Sequence, residues 1–323
     1  MRITLLFFAM LLFAPKPSVG LLPAPKTDSL PTILSEIFTK VKQYSLFRST
    51  VNWDELQSKI LNSNGAVTEV DFKNKVRLIF ETIGDKHGAF YYKGERLGMD
   101  QSWTKKLRIP ENWPENVILK TQMLEQGYGY ILIPPSQKYD LKTCQRYQDS
   151  LCSLGLKNLK GLIIDLRLQE GGSVYPLFTG LNQVYGTTYF GSNRDSKGKE
   201  YLRWTKKYGG VQVNTNCQSN SGLKIVVLMS QITASAGEMM AVALKGRPKT
   251  LFIGEATAGL TTMNVSFNLG SYQLAIAASA IADRKGKIYN SSVLPDLTIV
   301  EGDNFKNLLV DTKVIAALKW MKE

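Results

Sequence analysis

One histidine, His87, and three cysteines, Cys144, Cys152 and Cys217, are all that 323 residues offer to a soft metal. Structural zinc sites draw on about four thiolate and imidazole ligands at short spacings. No Cys-x-x-Cys pair is present, so neither a histidine- or thiolate-based metal centre nor any other cofactor is expected, and only carboxylate-bound ions stay open. The odd thiol count also argues against a disulfide framework. Cys144 and Cys152 stand eight apart in a predicted helix, about 12 Å along its axis and too far to be bridged. The three thiols are read as core filler.

Acidic residues are also scarce. Lys plus Arg number 40 against 27 Asp plus Glu, a formal charge of +13. Excess positive charge raises the question of nucleic acid. The clusters are short, however, at Lys105, Lys106 and Arg108 and at Lys206 and Lys207. No long basic run, zinc-finger pattern or basic zipper accompanies them. The expectation is a solvated basic surface with no nucleic-acid partner. Association with a membrane surface stays open without a motif that indicates it, and nothing addresses the oligomeric state. With 44% hydrophobic and 21% charged residues, the composition is that of a folded globular chain, not a disordered, collagenous or coiled-coil one.

No segment after the N-terminus reaches the roughly 18 apolar residues of a membrane span. The apolar run Ile3 to Ala14, flanked by Arg2 and by Lys16-Pro17-Ser18-Val19-Gly20, reads as a signal peptide over residues 1–20. Its removal lowers the charge to +11. The expected location is periplasmic or extracellular, with an uncleaved anchor as the alternative.

A Pro-containing linker (21–31) leads to Ile33, Ile37, Phe38 and Val41, then to Val76, Ile79, Phe80 and Ile83, both at helical spacing. Residues 32–115 are therefore expected to form a mostly helical N-terminal domain ending near Pro110 and Pro114. From residue 116 to 323 the texture alternates. Strand-like Tyr128 to Ile133 precedes a helix from Asp140 to Leu154 and a buried strand from Leu162 to Leu166. Strand Ile225 to Met229 precedes a helix from Ala236 to Lys245 and strand Thr250 to Ile253. Such alternation predicts a layered α/β domain with parallel strands.

Ligands of open α/β sheets gather where strands end. One such place is Asp165-Leu166-Arg167-Leu168-Gln169-Glu170-Gly171-Gly172, whose glycines allow close backbone approach and can aim N–H groups at an oxyanion. A plain turn reads the same way. The second is Thr233-Ala234-Ser235-Ala236-Gly237-Glu238, where Ser235 opens a helix whose free N–H groups favour developing negative charge. An N-cap serine with Glu238 completing a capping box fits the same spacing. The base for such a serine is the lone His87 in Asp85-Lys86-His87-Gly88, or else a desolvated lysine.

Taken in order, these blocks resemble the serine peptidases that include the tail-specific (C-terminal processing) proteases and the tricorn core. Ile83 to His87 is similar to the ending of members with a "D-x-H" base. Gly161 to Gly172 resembles their "DLRxNxGG" strand and loop, and Thr233 to Glu238 their "TASxGE" nucleophile segment. Gly246-Arg247-Pro248, Gly254 to Asn264, Ala282-Asp283-Arg284 and Leu294-Pro295-Asp296 continue the likeness. It spans the mature chain and implies a ClpP/crotonase-like α/β core after a helical domain, without a PDZ-like insert. It further implies Ser235 as nucleophile, His87 as base, Glu238 as an orienting or capping acid, and an oxyanion hole from Ala236 with Gly171 or Gly172. Where the tail-specific branch carries its lysine, this chain has Leu260. Two positions depart from the family pattern. Leu168-Gln169 replaces Gly-Asn, which is expected to put a Cβ where glycine permits positive φ, and no acid precedes the "PD" stretch, with Asp283 and Asp296 the nearest substitutes. The implied activity is hydrolysis of peptides or unfolded proteins. The alternative is an inactive relative that binds an apolar or peptide ligand, as eye retinoid-binding proteins of similar sequence do.

Overall fold

The computed structural model describes residues 29–61, 67–101, 107–110, 112–125, 127–215, 217–220 and 222–323. The expected signal peptide, the linker up to residue 28, and Lys105 and Lys106 lie outside the described residues. Three helices come first: α1 (Leu30–Tyr44), α2 (Trp53–Leu61) and α3 (Glu69–Ile83). α1 and α3 bury the predicted stripes and add Leu34 and Phe72. Ser29 and Thr68 cap them by accepting the N–H groups of Thr32 and Asp71. α3 stops at Gly84, whose φ of 71° is the left-handed position that ends a helix.

Beyond Gly84 the chain is not helical as expected. β1 (Ala89–Tyr92) and β2 (Glu95–Leu97) form a hairpin. Its two-residue turn, Lys93-Gly94, has positive φ at both positions, 48° and 81°, which matches the right-handed twist of the flanking strands. The aromatic run Ala89-Phe90-Tyr91-Tyr92 before Lys93-Gly94 is a strand signal legible in the sequence, outweighed by the helical pattern upstream. The later strands are β3 (Lys120–Glu125), β4 (Tyr128–Leu132), β5 (Gly161–Asp165), β6 (Tyr189–Arg194), β7 (Glu200–Thr205), β8 (Lys224–Met229), β9 (Thr250–Gly254), β10 (Thr262–Leu269), β11 (Tyr272–Asp283), β12 (Ile288–Tyr289) and β13 (Leu297–Thr298). The later helices are α4 (Leu141–Cys152), α5 (Ala236–Leu244) and α6 (Thr312–Lys322).

Two sheets organise these elements. One runs in the order β13-β9-β8-β5-β4-β3, parallel except for β3. Its central strands are buried on both faces, as parallel sheets require. Leu162, Ile164, Ile225 and Val227 face the cluster that holds α4 and α5, while Ile163, Val226 and Leu228 face the one that holds α6. α5 is buried around its whole circumference. The second sheet runs β2-β1-β11-β6-β7, with β10 and β12 also paired to β11. β11 thereby carries the N-terminal hairpin into the rest of the molecule. Phe90, Tyr92 and Leu97 share one core cluster with α1 and α3 and with Leu269, Leu274 and Ile276, so residue 115 is not a seam between separate cores.

A buried cation fastens the loop after β5 to the C-terminus. Arg167 donates to Asp165, Asp303 and Asp311, and Lys313 to Asp303, all three carboxylates being fully or almost fully buried. Burial opposes the charge on Arg167, but the carboxylates of Asp165 and Asp311 outweigh it and hold the guanidinium protonated. Arg108 donates to Glu255 and Asp303. That use within the fold removes it from the basic cluster seen in the sequence.

The cysteines correct the sequence reading. Cys144 is buried and free, as core filler, but Cys152 and Cys217 form a disulfide across 65 residues. Spacing within one helix rules out the Cys144–Cys152 pair and cannot show that a later loop returns to Cys152. A loop of that length stabilises by about 4 kcal/mol in the chain-entropy account. Reduction, or Cys217→Ser, is therefore expected to lower the urea midpoint clearly. An unchanged midpoint under dithiothreitol would show that the bond is not formed in solution.

Candidate active site

Ser235 sits where β8 has turned into α5. Its backbone, φ 49° and ψ −110°, is a conformation that side-chain-bearing residues rarely adopt, at a cost of about 1–3 kcal/mol. Hydrogen bonds on both sides hold it there. Ala234 N–H donates to Gln169 O at 3.0 Å, Met239 N–H to Ser235 O at 2.9 Å, and Ser235 N–H to Glu238 Oε2 at 2.9 Å. A residue locked out of its relaxed geometry at a helix N-terminus is what an oriented nucleophile requires.

Glu238 does more than cap. Its other oxygen, Oε1, accepts from the Thr257 hydroxyl and from Gly259 N–H at 2.8 Å. The carboxylate thus joins the start of α5 to the loop that leads into β10, and Ala258 N–H closes on Thr233 O at 2.9 Å. Burial raises its pKa to about 7, against the lowering effect of these donors.

The same loop ends at Thr262, whose hydroxyl lies 2.8 Å from His87 Nδ1. Asp85 sets the approach of His87. Its Oδ1 accepts from the N–H groups of His87 and Gly88 and its Oδ2 from Ala277 N–H, which pins the turn onto β11. Burial, then the nearby Arg96 guanidinium, lowers the His87 pKa to about 4. Among the described residues no hydrogen bond joins His87 to the Ser235 hydroxyl. The two are tied to one loop, 257–262, from opposite ends, and catalytic hydrogen bonds commonly tighten only in the substrate complex.

The glycine loop packs on the serine. A Cβ at Gly171, φ 125°, would stand 3.2 Å from Ser235 Cβ, and one at Gly172, φ 103°, would stand 2.3 Å from Ser136 O, so both positions demand glycine. Gly171 N–H is not free: it donates to Gln169 Oε1 at 2.6 Å. The N–H groups of Gly172 and Ala236 have no acceptor among the described residues. Leu168 overturns its expectation. It is not at positive φ, and its side chain is fully buried in the cluster with Val226, Leu228 and Ile253. Its Cβ therefore costs the loop nothing.

Neither substitute acid reaches the histidine. Asp283 accepts from the N–H groups of Lys285 and Lys287 in the turn after β11, and Asp296 from Phe252 N–H in β9. The hydroxyl of Thr262 stands on His87 Nδ1 instead. Thr262 lies in the Gly254 to Asn264 block that the resemblance covers, but no local pattern distinguishes it from Thr261, whose hydroxyl goes to Ser291 O. A cavity of about 350 Å³ opens beside His87 between residues 84–87, 258–262 and 290–292.

Comparisons with known proteins bear on the family and the fold. The family model described as peptidase family S41 matches residues 127–299. A nisin-resistance protein of Lactococcus lactis subsp. lactis is 26% identical over 294 residues, 87% of this chain and 83% of that one. The carboxy-terminal processing protease CtpA of Bacillus subtilis (strain 168) is 28% identical over 218 residues, 61% of this chain and 44% of that one. The solved structure of a lipoprotein from Streptococcus agalactiae superposes with a TM-score of 0.69 at 24% identity, covering 95% of this chain and 99% of that one. The mixed α/β core after a helical N-terminal region is thus a fold already known.

Two outcomes test the site. The single imidazole gives one unambiguous proton NMR titration, expected to have its midpoint near pH 4 instead of 6.5. Because the folded value is depressed, the stability held by neutral His87 is complete above pH 6.5 and is lost as pH falls from there through about 4. Glu238, raised to about 7, has the opposite sign: its contribution is complete below about pH 4.5 and lost as pH rises through 7. Leu168→Gly is expected to destabilise by roughly 2–5 kcal/mol, as loss of a buried leucine does, measured by urea unfolding, and to leave the loop no better formed.

Proposed function

This chain belongs to peptidase family S41, and from that premise we propose that it is a serine endopeptidase acting on peptides or unfolded proteins through an acyl-enzyme on Ser235. The observation that carries the reading is the locked positive-φ serine at the start of α5 with the unpartnered Ala236 N–H beside it. With Nδ1–H donated to Thr262 Oγ1, His87 Nε2 is the free base. Ser235 Oγ attacks the peptide carbonyl carbon while Nε2 takes its proton. The oxyanion is held by Ala236 N–H and, since Gly171 is committed to Gln169, by Gly172 N–H. The C–N bond breaks as the imidazolium returns its proton to the departing amine, and water then releases the acyl group by the same route in reverse. Glu238 orients this machinery through Ser235 and the 257–262 loop, without touching substrate. The Cys152–Cys217 bond and the segment read as a signal peptide together support action in an oxidising compartment outside the cytoplasm.

A binding protein on the same scaffold is the second reading, favoured by the missing His87–Ser235 hydrogen bond and by the occupied Gly171 N–H. Casein hydrolysis across pH 5 to 9 separates the two. The peptidase is expected to lose at least about a thousandfold in rate in each of Ser235→Ala and His87→Ala. Its rate should not fall away on the acid side near pH 6.5, because His87 stays neutral down to about pH 4. Nisin, the compound in the Lactococcus relative's name, is a second substrate to offer. A folded wild type that cleaves neither, nor any member of a peptide library, establishes the binding protein.

A further inference from the structure

Of the consecutive N–H groups of Gly171, Gly172 and Ser173, the outer two are tied inside the protein. Gly171 N–H donates to Gln169 Oε1 at 2.6 Å, and Ser173 N–H donates to Ser136 O, where Ser136 pairs in parallel with Gly172. The middle group, Gly172 N–H, has no acceptor among the described residues. Successive glycines at φ 125° and 103° keep one geometry only where their neighbours over-determine it. Gln169 does so on the Gly171 side. Its side chain is fully buried. Oε1 faces the Gly171 N–H while Nε2 donates to Pro134 O at 3.1 Å, and only one orientation of the carboxamide satisfies both partners. Its main chain is committed as well. Gln169 N–H donates to Leu166 O at 3.0 Å, and its carbonyl accepts from Ala234 N–H, one residue before Ser235, at 3.0 Å. A Cβ at Gly237 would stand 2.8 Å from the same carbonyl. Gln169 therefore joins the segment after β4, the glycine loop and the entry to α5, and among the described residues no hydrogen bond links it to the Ser235 hydroxyl.

We propose that Gln169 is a positioning residue of the acyl-transfer site. By occupying Gly171 N–H and anchoring the loop to Pro134, it leaves Gly172 N–H as the glycine donor that meets the developing oxyanion beside Ala236 N–H. The proposal rests on the reading of Ser235 as the nucleophile. A donor stabilises an oxyanion only when aimed at the place where the charge develops. A loop that lost this anchor would keep its affinity for substrate and lose rate. An asparagine side chain can accept from the N–H two residues on, in an Asx turn; the extra methylene of glutamine carries the carboxamide far enough to make the second bond to Pro134 O.

Two variants and two readouts test it. Gln169→Leu keeps the volume and removes both side-chain bonds, whereas Gln169→Asn is smaller but retains an acceptor for Gly171 N–H. Casein-derived peptide hydrolysis by Gln169→Leu is expected to lose about 10- to 100-fold in kcat with KM within about twofold of wild type. Gln169→Asn is expected to restore most of that rate. A role in packing alone predicts the opposite order, since leucine fills the site and asparagine leaves a void. The second readout needs neither cleavage nor a variant. In protein carrying isotope-labelled glycine, amide exchange is expected to be at least about tenfold slower at Gly171 than at Gly172. The difference should vanish in Gln169→Leu and return in Gln169→Asn. A Gln169→Leu enzyme as fast as wild type or faster, a loss carried by KM, an asparagine variant no better than leucine, or a Gly172 amide as protected as Gly171 overturns the proposal. Thermal melting verifies that each variant folds, and should Gln169→Leu not fold, wild-type exchange and the asparagine variant decide. A wild type that cleaves no peptide defeats the peptidase reading instead, and the exchange of the two glycine amides then decides whether Gln169 presents Gly172 N–H.

Discussion

The buried carboxylate of Glu238 is the interaction on which the site depends. One oxygen takes the N–H of Ser235 and the other takes Thr257 and Gly259. A strained serine would relax unless its neighbours over-determine it, and the loop bearing Thr262 would be free to drift from α5. Because Thr262 in turn stands on His87, the placement of Ser235 and of His87 is linked through one buried group. Desolvation raises that group's pKa even as its donors lower it, so its energetic cost is what purchases a single arrangement of three segments distant in sequence.

The ion cluster around Arg167 plays the corresponding part at the other side of the glycine loop. Arg167 follows β5 directly and binds carboxylates from the C-terminal segment. Its own carbonyl receives the Ser230 hydroxyl from the end of β8. The strand ends that carry Gly171 and Ser235 are therefore braced by the same residue. A buried ion pair of this kind is poor evidence of extra stability, but breaking it leaves an uncompensated charge. Its value here is positional.

Much of this was legible in the sequence wherever local chemistry decides. The helical stripes of α1 and α3, the apolar strands β4, β5, β8 and β9, and the Ser235 and Gly171-Gly172 segments all announce themselves within a dozen residues. The hairpin at Lys93-Gly94 is equally local, but the helical pattern upstream masks its signal. β10 and β11, by contrast, alternate only partly because each edge of β11 meets a different partner along its length. Leu168 illustrates the limit on motifs. It departs from the family pattern in the loop, yet its side chain turns into the core, where it costs nothing.

By itself the sequence determined the order of elements, the layered α/β class, the family, and the residues from which a nucleophile, a base and an oxyanion hole could be drawn. These follow from local periodicity, turn residues and motif spacing, which act over a few residues. Only the tertiary structure decided that Cys152 meets Cys217, that Thr262 and not an acid stands on His87, and that Gln169 takes the Gly171 N–H. Each of these is set by how distant segments pack. That depends on sheet register and on the competition of all buried groups for the same donors, and neither is written in any one stretch of chain.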